Sequence, residues 1–297
     1  MTTEPLSIQI YGAGRVGLAI ANLARDRGVR VTGLWNPRPL RPERARLAEG
    51  FPVGVAPTPR PAAADLWLVA VPDDAIAATG ERLASELAGA GGPRPRCAAH
   101  CAGAHTADLL APLSGSGIPC GSWHPAMTFR GAPDDADALA RAVVAVEGDS
   151  DAEKALRALA DALGLACVSV AADRKPDYHA ALVLAANGRV ALNAAAARLL
   201  REAGLDEVMA RSVLEPLVRR VEENLRAAFP EEALTGPVAR GDVGTVRRQI
   251  AALGDRPDLL RLYRSMGAVI MEAVPIGLRG EGHHEVMRMM REGEEAC

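Results

Sequence analysis

Short apolar runs, each followed by a stretch of helical period, fill the first half of the chain. Ile8-Gln9-Ile10 leads into the amphipathic stretch Val16 to Arg25, then into the strand-like Val29-Arg30-Val31-Thr32-Gly33-Leu34-Trp35. Asp65 to Pro72 reads as a fully buried strand, and Asp73 can cap a helix over Asp74 to Leu87. Arg96 to Cys101, Pro119 to Pro125, Arg141 to Glu147 and Ala166 to Val170 predict further strands, the last two around a helix Asp151 to Leu163. A Pro- and Arg-rich segment, Pro37 to Pro61, interrupts the pattern and holds a short helix near Pro42 to Ala48. Strands alternating with helices predict an α/β fold, a doubly wound parallel sheet with crossover helices. Near Asp173 the pattern changes to helices alone: Pro176 to Ala203, Asp206 to Ala227, Val243 to Leu253 and Asp258 to Ala273. The expected organisation is an α/β domain over residues 1–172, an all-α C-terminal domain over 173–280 and a loose polar tail over 281–297.

The turn after the first strand is Tyr11-Gly12-Ala13-Gly14-Arg15-Val16-Gly17, a G-x-G-x-x-G loop placed between strand and helix. Gly12 permits the tight turn, Gly14 lets backbone approach a pyrophosphate, and Gly17 lets helix pack on strand, with the helix N-terminus facing the anion. This context predicts a Rossmann-like dinucleotide site. An NAD-binding unit places Asp or Glu at the end of the second strand; this chain has Asn36-Pro37-Arg38. Asn36 can bond a ribose hydroxyl without repelling phosphate, and Arg38, with Arg15 as a second cation, can pair with a 2′-phosphate. NADP is therefore favoured over NAD, against the alternative that Arg38 belongs to a surface loop with Arg41, Arg44 and Arg46. A deazaflavin could use the same glycine loop. Ligands of open α/β sheets bind off the carboxyl ends of the strands, which adds Val71 and Pro72 to the cofactor set.

Length allows two ordinary domains with real cores. A formal net charge of -3 and 3% aromatics, without a basic block, argue against nucleic acid as a partner. No apolar run reaches the length of a membrane span, and Met1-Thr2-Thr3-Glu4 lacks a signal-peptide pattern, so a cytoplasmic location without membrane contact is expected. Five cysteines without framework spacing suit reduced thiols. Cys97, Cys101, Cys120, His100 and His124 do not read as a metal site, because a strand would turn His100 away from Cys97 and Cys101. Arginine fills nearly every cationic position, and the two lysines are Lys154 and Lys175. Lysine can lose its proton where arginine cannot, which singles out Lys175; Lys154 belongs to an exposed helix face.

The chemistry-bearing motifs are His100-Cys101-Ala102-Gly103, Gly121-Ser122-Trp123-His124-Pro125 with Phe129, Lys175-Pro176-Asp177-Tyr178-His179 leading to Asn187, and Thr235-Gly236-Pro237-Val238-Ala239-Arg240-Gly241-Asp242. Lys175 and His179 share a helix face, and Asn187 is rotated by roughly 80° from His179. Asp242 is equally an N-cap for the helix that follows. With the glycine loop, these motifs resemble the Rossmann-like reductases that carry the domain of unknown function 2520, over nearly the whole chain. Ala102 stands where that family often has serine. The family is similar in plan to pyrroline-carboxylate, ketopantoate and β-hydroxyacid reductases. The resemblance implies an NADPH-dependent oxidoreductase acting on a small molecule. Catalysis would fall to Lys175 as first proton donor, His179 as second and Asn187 as orienter, with His124, Thr235 and Arg240 on the substrate. Ketopantoate is the single best substrate expectation among small 2-oxo acids. A cyclic imine, and a non-catalytic dinucleotide-binding protein, are the alternatives. The long apolar faces Ala180 to Leu200 and Val208 to Val221 predict a homodimer through the helical domain.

Overall fold

A strand buried at every residue must lie inside a sheet covered on both faces, and Ser7–Tyr11 (β1) is such a strand. The computed structural model describes residues 5–90 and 92–292, which divide into two compact units after Gly188. In the first unit β1 is followed by Arg15–Asp26 (α1), Arg30–Asn36 (β2), Pro42–Leu47 (α2), Val53–Val55 (β3), Leu66–Val69 (β4) and Asp73–Ala90 (α3). Next come Cys97–His100 (β5), Ala111–Ser114 (α4), Cys120–Pro125 (β6), Asp135–Leu139 (α5), Val143–Gly148 (β7), Ser150–Leu163 (α6), Ala166–Ser169 (β8) and Lys175–Val183 (α7). One eight-stranded sheet runs β3-β2-β1-β4-β5-β6-β7-β8. Its pairs are parallel except β6 with β7.

Strand alternation sorts the core. Ile8, Ile10, Leu66, Leu68, Cys97, Trp123 and Val146 pack on one face with α1 and α6. Tyr11, Trp35, Trp67, Val69, Ala98 and Cys120 pack on the other, with Ile76, Leu83 and Leu87 of α3. Helix α6 shows why a local sequence suffices: Asp149 caps it by accepting from the Asp151 and Ala152 N–H groups. Gly164 ends it at φ 70°, and Ala152, Leu156, Leu159, Ala160 and Leu163 form its buried stripe.

The second unit holds Arg189–Glu202 (α8), Glu207–Ala227 (α9), Pro230–Ala233 (α10), Val243–Ala252 (α11), Pro257–Ala273 (α12) and Glu281–Arg291 (α13). Asp206 caps α9 and Asp242 caps α11, the latter by accepting from the Thr245 N–H at 3.0 Å. Val246, Met271, Val286, Met289 and Met290 form a core among α11, α12 and α13.

Several expectations change. The first compact unit runs to Gly188 rather than 172, because α7 docks on the sheet through Lys175. The segment expected as a loose tail is helical over Glu281–Arg291 and buries Val286, Met289 and Met290; residues 293–297 lie outside the described residues. Strand β3, exposed throughout, was not expected. A five-residue π turn, Leu184–Gly188, interrupts the helix expected from Pro176 to Ala203. Within residues 172–202 a window of 18 residues, mean hydropathy 1.3, is long and apolar enough to cross a membrane by length and composition, against the expectation that no apolar run reaches that length.

Candidate active site

The glycine loop begins where β1 ends. The Gly12 N–H donates to the Trp35 carbonyl at 2.8 Å and the Ala70 N–H to the Tyr11 carbonyl at 2.7 Å, so the turn is pinned between β2 and β4. Gly12 sits at φ 118°, and a Cβ there would fall on the Ala70 carbonyl oxygen; one on Gly17 would fall on the Gly12 carbonyl. Helix α1 starts from Gly14 with no side-chain cap and no acidic residue in its first turn. Its leading N–H groups are thus left for an anion, in contrast to α6, α9 and α11, each capped by an aspartate.

A cavity of about 800 Å³ opens over this loop. Gly12, Gly14, Arg15, Val16, Asn36, Val71 and Pro72 line it as expected, while Ala13 and Gly17 are buried beside it. Arg38 does not line it. The loop carries Arg38 outward between the exposed Pro37 and Pro39, and its carbonyl accepts from Asn36 Nδ2 at 2.6 Å. The amide oxygen of Asn36 stays free for a hydroxyl. The cations that reach the cavity are Arg15, Arg44 from α2 and Arg82 from α3, against one carboxylate, Asp74. Arg44 entered the expectations only as a member of the alternative surface loop; it stands on helix α2 and lines the cavity. These residues fit a nicotinamide dinucleotide.

Three strands along the same sheet edge lies a second cluster. In the register, Tyr11, Val69, His100, Ser122 and Glu147 form one row across β1, β4, β5, β6 and β7. At roughly 4.8 Å per strand, Ser122 stands about 14 Å from the start of the glycine loop. Helix α7 attaches to β6 at two points. Lys175 Nζ donates to Ser122 Oγ at 2.5 Å, and Tyr178 Oη meets His124 Nδ1 at 3.0 Å. The spacings match: Ser122 and His124 share a strand face, and Lys175 and Tyr178 are one helical turn apart. His179 stands edge-on to His124, ring centroids 6.0 Å apart. Gly103 floors the pair: a Cβ there would come within 2.5 Å of His179 and 2.9 Å of His124.

Electrostatics follow from burial. His124 is pushed down to about 4, first by burial and then by the neighbouring Lys175 charge, so it is neutral at pH 7. His100 is likewise lowered to about 4 by burial; its Nε2 bonds the Thr106 carbonyl at 2.8 Å and its Nδ1 accepts from the Ala102 N–H at 3.2 Å. Tyr178 is raised to about 12 by burial and stays a phenol. Burial lowers Lys175 and the Glu147 charge opposes that.

Lys175, expected to meet substrate, is fully buried at 0% exposure. The partly exposed groups are His124, Tyr178 and His179. Asn187 is exposed in the π turn, whose wider winding alters the rotation assumed for a regular helix. Thr235 and Arg240 are exposed in a turn of the second unit. Sequence reading missed Ser122 and Glu147 as site residues, and treated Tyr178 only as part of a motif. The signal for Ser122 was a hydroxyl two residues before a histidine on one strand.

Fold and cavity together define an α/β protein built to hold a dinucleotide. Residues 1–125 match the Rossmann-like domain and residues 142–270 the domain of unknown function (DUF2520). Protein TM1727 from Thermotoga maritima is similar at 21% identity and TM-score 0.70, over 92% of this chain and 100% of that one. BF3122 of Bacteroides fragilis, provisionally described as an NADP oxidoreductase, is similar at 23% identity and TM-score 0.69, over 91% of this chain and 99% of that one. A pyrroline carboxylate reductase from Plasmodium falciparum with NADP bound has 11% identity and TM-score 0.57, over 97% of this chain and 99% of that one. No curated protein matches the sequence.

Proposed function

We propose that the protein is an NADPH-dependent reductase of a small carbonyl substrate of the 2-oxo-acid class. One observation carries this: the polar cluster of β6 and α7 stands on the same sheet edge as a cation-lined dinucleotide cavity, about 14 Å along it. When bound, a reduced nicotinamide supplies a hydride. The chain's own residues supply the rest. The glycine loop and the α1 N-terminus hold the pyrophosphate, and Arg44 and Arg82 hold the 2′-phosphate. Neutral His124, in the tautomer with its proton on Nδ1, donates to Tyr178 Oη and leaves the phenolic proton free for the substrate oxygen. C=O thus becomes CH–OH, with the hydride on carbon and the Tyr178 proton on oxygen. Lys175 contributes from within as a buried cation, and His179 lines the opening. Asn187, Thr235 and Arg240 remain proposals for substrate orientation.

Ketopantoate is one member of the 2-oxo-acid panel. The similarity to a pyrroline carboxylate reductase favours a second reading, a cyclic imine, which needs less of a proton donor. Calorimetry with NADPH, then NADPH oxidation across 2-oxo acids and cyclic imines, tests both. Tyr178→Phe is expected to lower kcat on carbonyls by about 10²-fold or more and to spare imines. Tight binding with no turnover would make the chain a dinucleotide-binding protein without activity, and absence of binding would remove the whole reading.

We also propose a homodimer formed through α8 and α9. Met209, Val213, Leu217, Val221 and Leu225 recur every four residues along α9 and are 41–60% exposed. Ala210 is the one buried residue of α9, and α8 has none among the described residues. An apolar stripe of this length belongs against a partner, and a second copy offers the same stripe.

A further inference from the structure

Glu147 is a titratable group that the steps above do not use. It sits on β7, half-buried, directly across the antiparallel pair from Ser122. Its Oε2 accepts from the Ala107 N–H at 2.9 Å; burial raises the carboxyl, and that bond, the Lys175 charge and the Ser122 hydroxyl oppose the rise. Ser122 is fully buried, and its oxygen is the hydrogen-bond partner of Lys175 Nζ among the described residues. Ser122 faces Glu147 across the strand pair, and a hydroxyl that accepts from the ammonium has its own proton to offer that carboxylate. A charged lysine and a carboxylate taken out of water must be paired in this way. Other titratable groups around Lys175 are His100 on β5, His124 on β6 and His179 on its own helix, with Asp108 near Glu147. His100 and His124 are held neutral and add no positive charge beside the ammonium, and Glu147 is the carboxylate whose charge favours it.

We propose that Glu147 and Ser122 are positioning residues for Lys175. The Glu147–Ser122–Lys175 chain fixes the ammonium two strand positions behind His124 and ties it to the backbone of the 101–107 loop that carries Gly103. Glu147 grips that loop at Ala107 and, through Ser122, grips α7 at Lys175. Both parts that shape the His124–Tyr178–His179 opening are thus held by one carboxylate. The kinetic consequence rests on the reductase reading; the placement of the charge does not.

The chain has two lysines, Lys154 and Lys175, so full-length protein labelled with [13Cε]lysine gives two ammonium-bearing signals, with exposed Lys154 as internal reference. In the unaltered protein Lys175 is expected to titrate below the ordinary lysine value. Glu147→Gln keeps an oxygen for Ala107 and Ser122 but removes the charge. It should lower the Lys175 midpoint by a further 1–3 units, about what an opposite charge within hydrogen-bonded reach supplies. Glu147→Asp, which retains charge, should restore most of that shift. If Glu147→Gln fails to fold, Ser122→Ala carries the test, with a drop of the same sign expected. An unmoved midpoint in the folded variant overturns the proposal. In turnover, the basic limb of kcat should move with the NMR midpoint. A moved midpoint with no turnover in any variant would leave the chain standing and remove the reductase reading.

Discussion

Arg44 and Arg82 make the cofactor preference measurable. Both line the cavity over the glycine loop, and neither belongs to the His124–Tyr178–His179 cluster. Each replaced by alanine removes one guanidinium from the place where a 2′-phosphate would lie. A hydrogen bond to a charged group contributes about 1.5–3 kcal/mol. The cavity is open to solvent and Arg82 is exposed, with Nη1 also donating to the Pro57 carbonyl at 3.2 Å, so the lower end of that range applies. At 1.4 kcal/mol per decade, each variant should weaken NADPH by about 10–30-fold. The effect should shrink as salt rises towards the molar range, where the screening length falls to about 3 Å.

NADH lacks the phosphate, so its affinity should change by less than about threefold. Nicotinamide fluorescence titration at low and high salt measures all four constants. Arg38→Ala is the control: its side chain lies outside the cavity lining and should leave both nucleotides alone. If Arg44→Ala and Arg82→Ala weaken NADH as much as NADPH, the two arginines act on the shared part of the nucleotide. If Arg38→Ala alone discriminates, the loop between β2 and α2 closes differently over the ligand, and the assignment fails.

Other expectations are shorter. Gly103→Ala places a methyl within 2.5 Å of His179 and 2.9 Å of His124, so the rings must shift by a few tenths of an ångström or more; kcat should fall by about 10²-fold while the fold survives, and unchanged turnover would refute the floor role. His100 and His124 are lowered to about 4, so the unfolded chain binds more protons below its own value of about 6.5. Stability present above pH 6.5 is therefore lost as pH falls towards 4, by about 2 kcal/mol per histidine at pH 5. Urea unfolding at pH 7 and pH 5 reads it, His100→Asn should flatten the slope, and an equal midpoint at both pH values would contradict the burial argument. Val213→Glu with Leu217→Glu should turn a dimer into a monomer in light scattering, and an unaltered dimer would place the interface elsewhere.

Local signals carried most of the fold because they are local. The glycine loop was legible because strand, turn and helix are contiguous, and because only glycine meets φ 118° at Gly12 beside the Ala70 carbonyl. Asp242 announced the start of its helix in one residue, whereas the caps Asp149 and Asp206 were not singled out, although both helices were expected within two residues of their observed starts. Edge strand β3 was not legible: three residues, all exposed, give neither an apolar run nor an alternation. The final helix was hidden by its charged face, since Val286, Met289 and Met290 are its buried stripe within an otherwise polar segment. Arg44 was not singled out for the cavity because α2 is six residues long and buries none of them, which leaves no periodicity to say which side faces the cavity.

The site was half legible for a reason that bears on its chemistry. Lys175, Tyr178 and His179 are near neighbours in sequence, and helical spacing alone puts them on adjoining positions of α7. What they face depends on β6 and on its pairing with β7, where Ser122 opposes Glu147 and His124 opposes Ala145. A slip of one residue in that antiparallel register would turn Glu147 to the opposite face and set Val146 or Gly148 against Ser122. Neither residue pattern fixes that register by itself; the sheet does, through Trp123 and Val146 seated in one core while Cys120 sits in the other. A carboxylate 28 residues before the lysine in the chain is thereby made its counter-charge by packing of apolar side chains that touch neither. Exchanging Trp123 for a small residue should therefore lower the Lys175 midpoint together with stability, whereas Lys154 should not respond. A Lys175 midpoint that stayed fixed while the protein lost stability would separate the charge pair from the register and refute this account of how it is held.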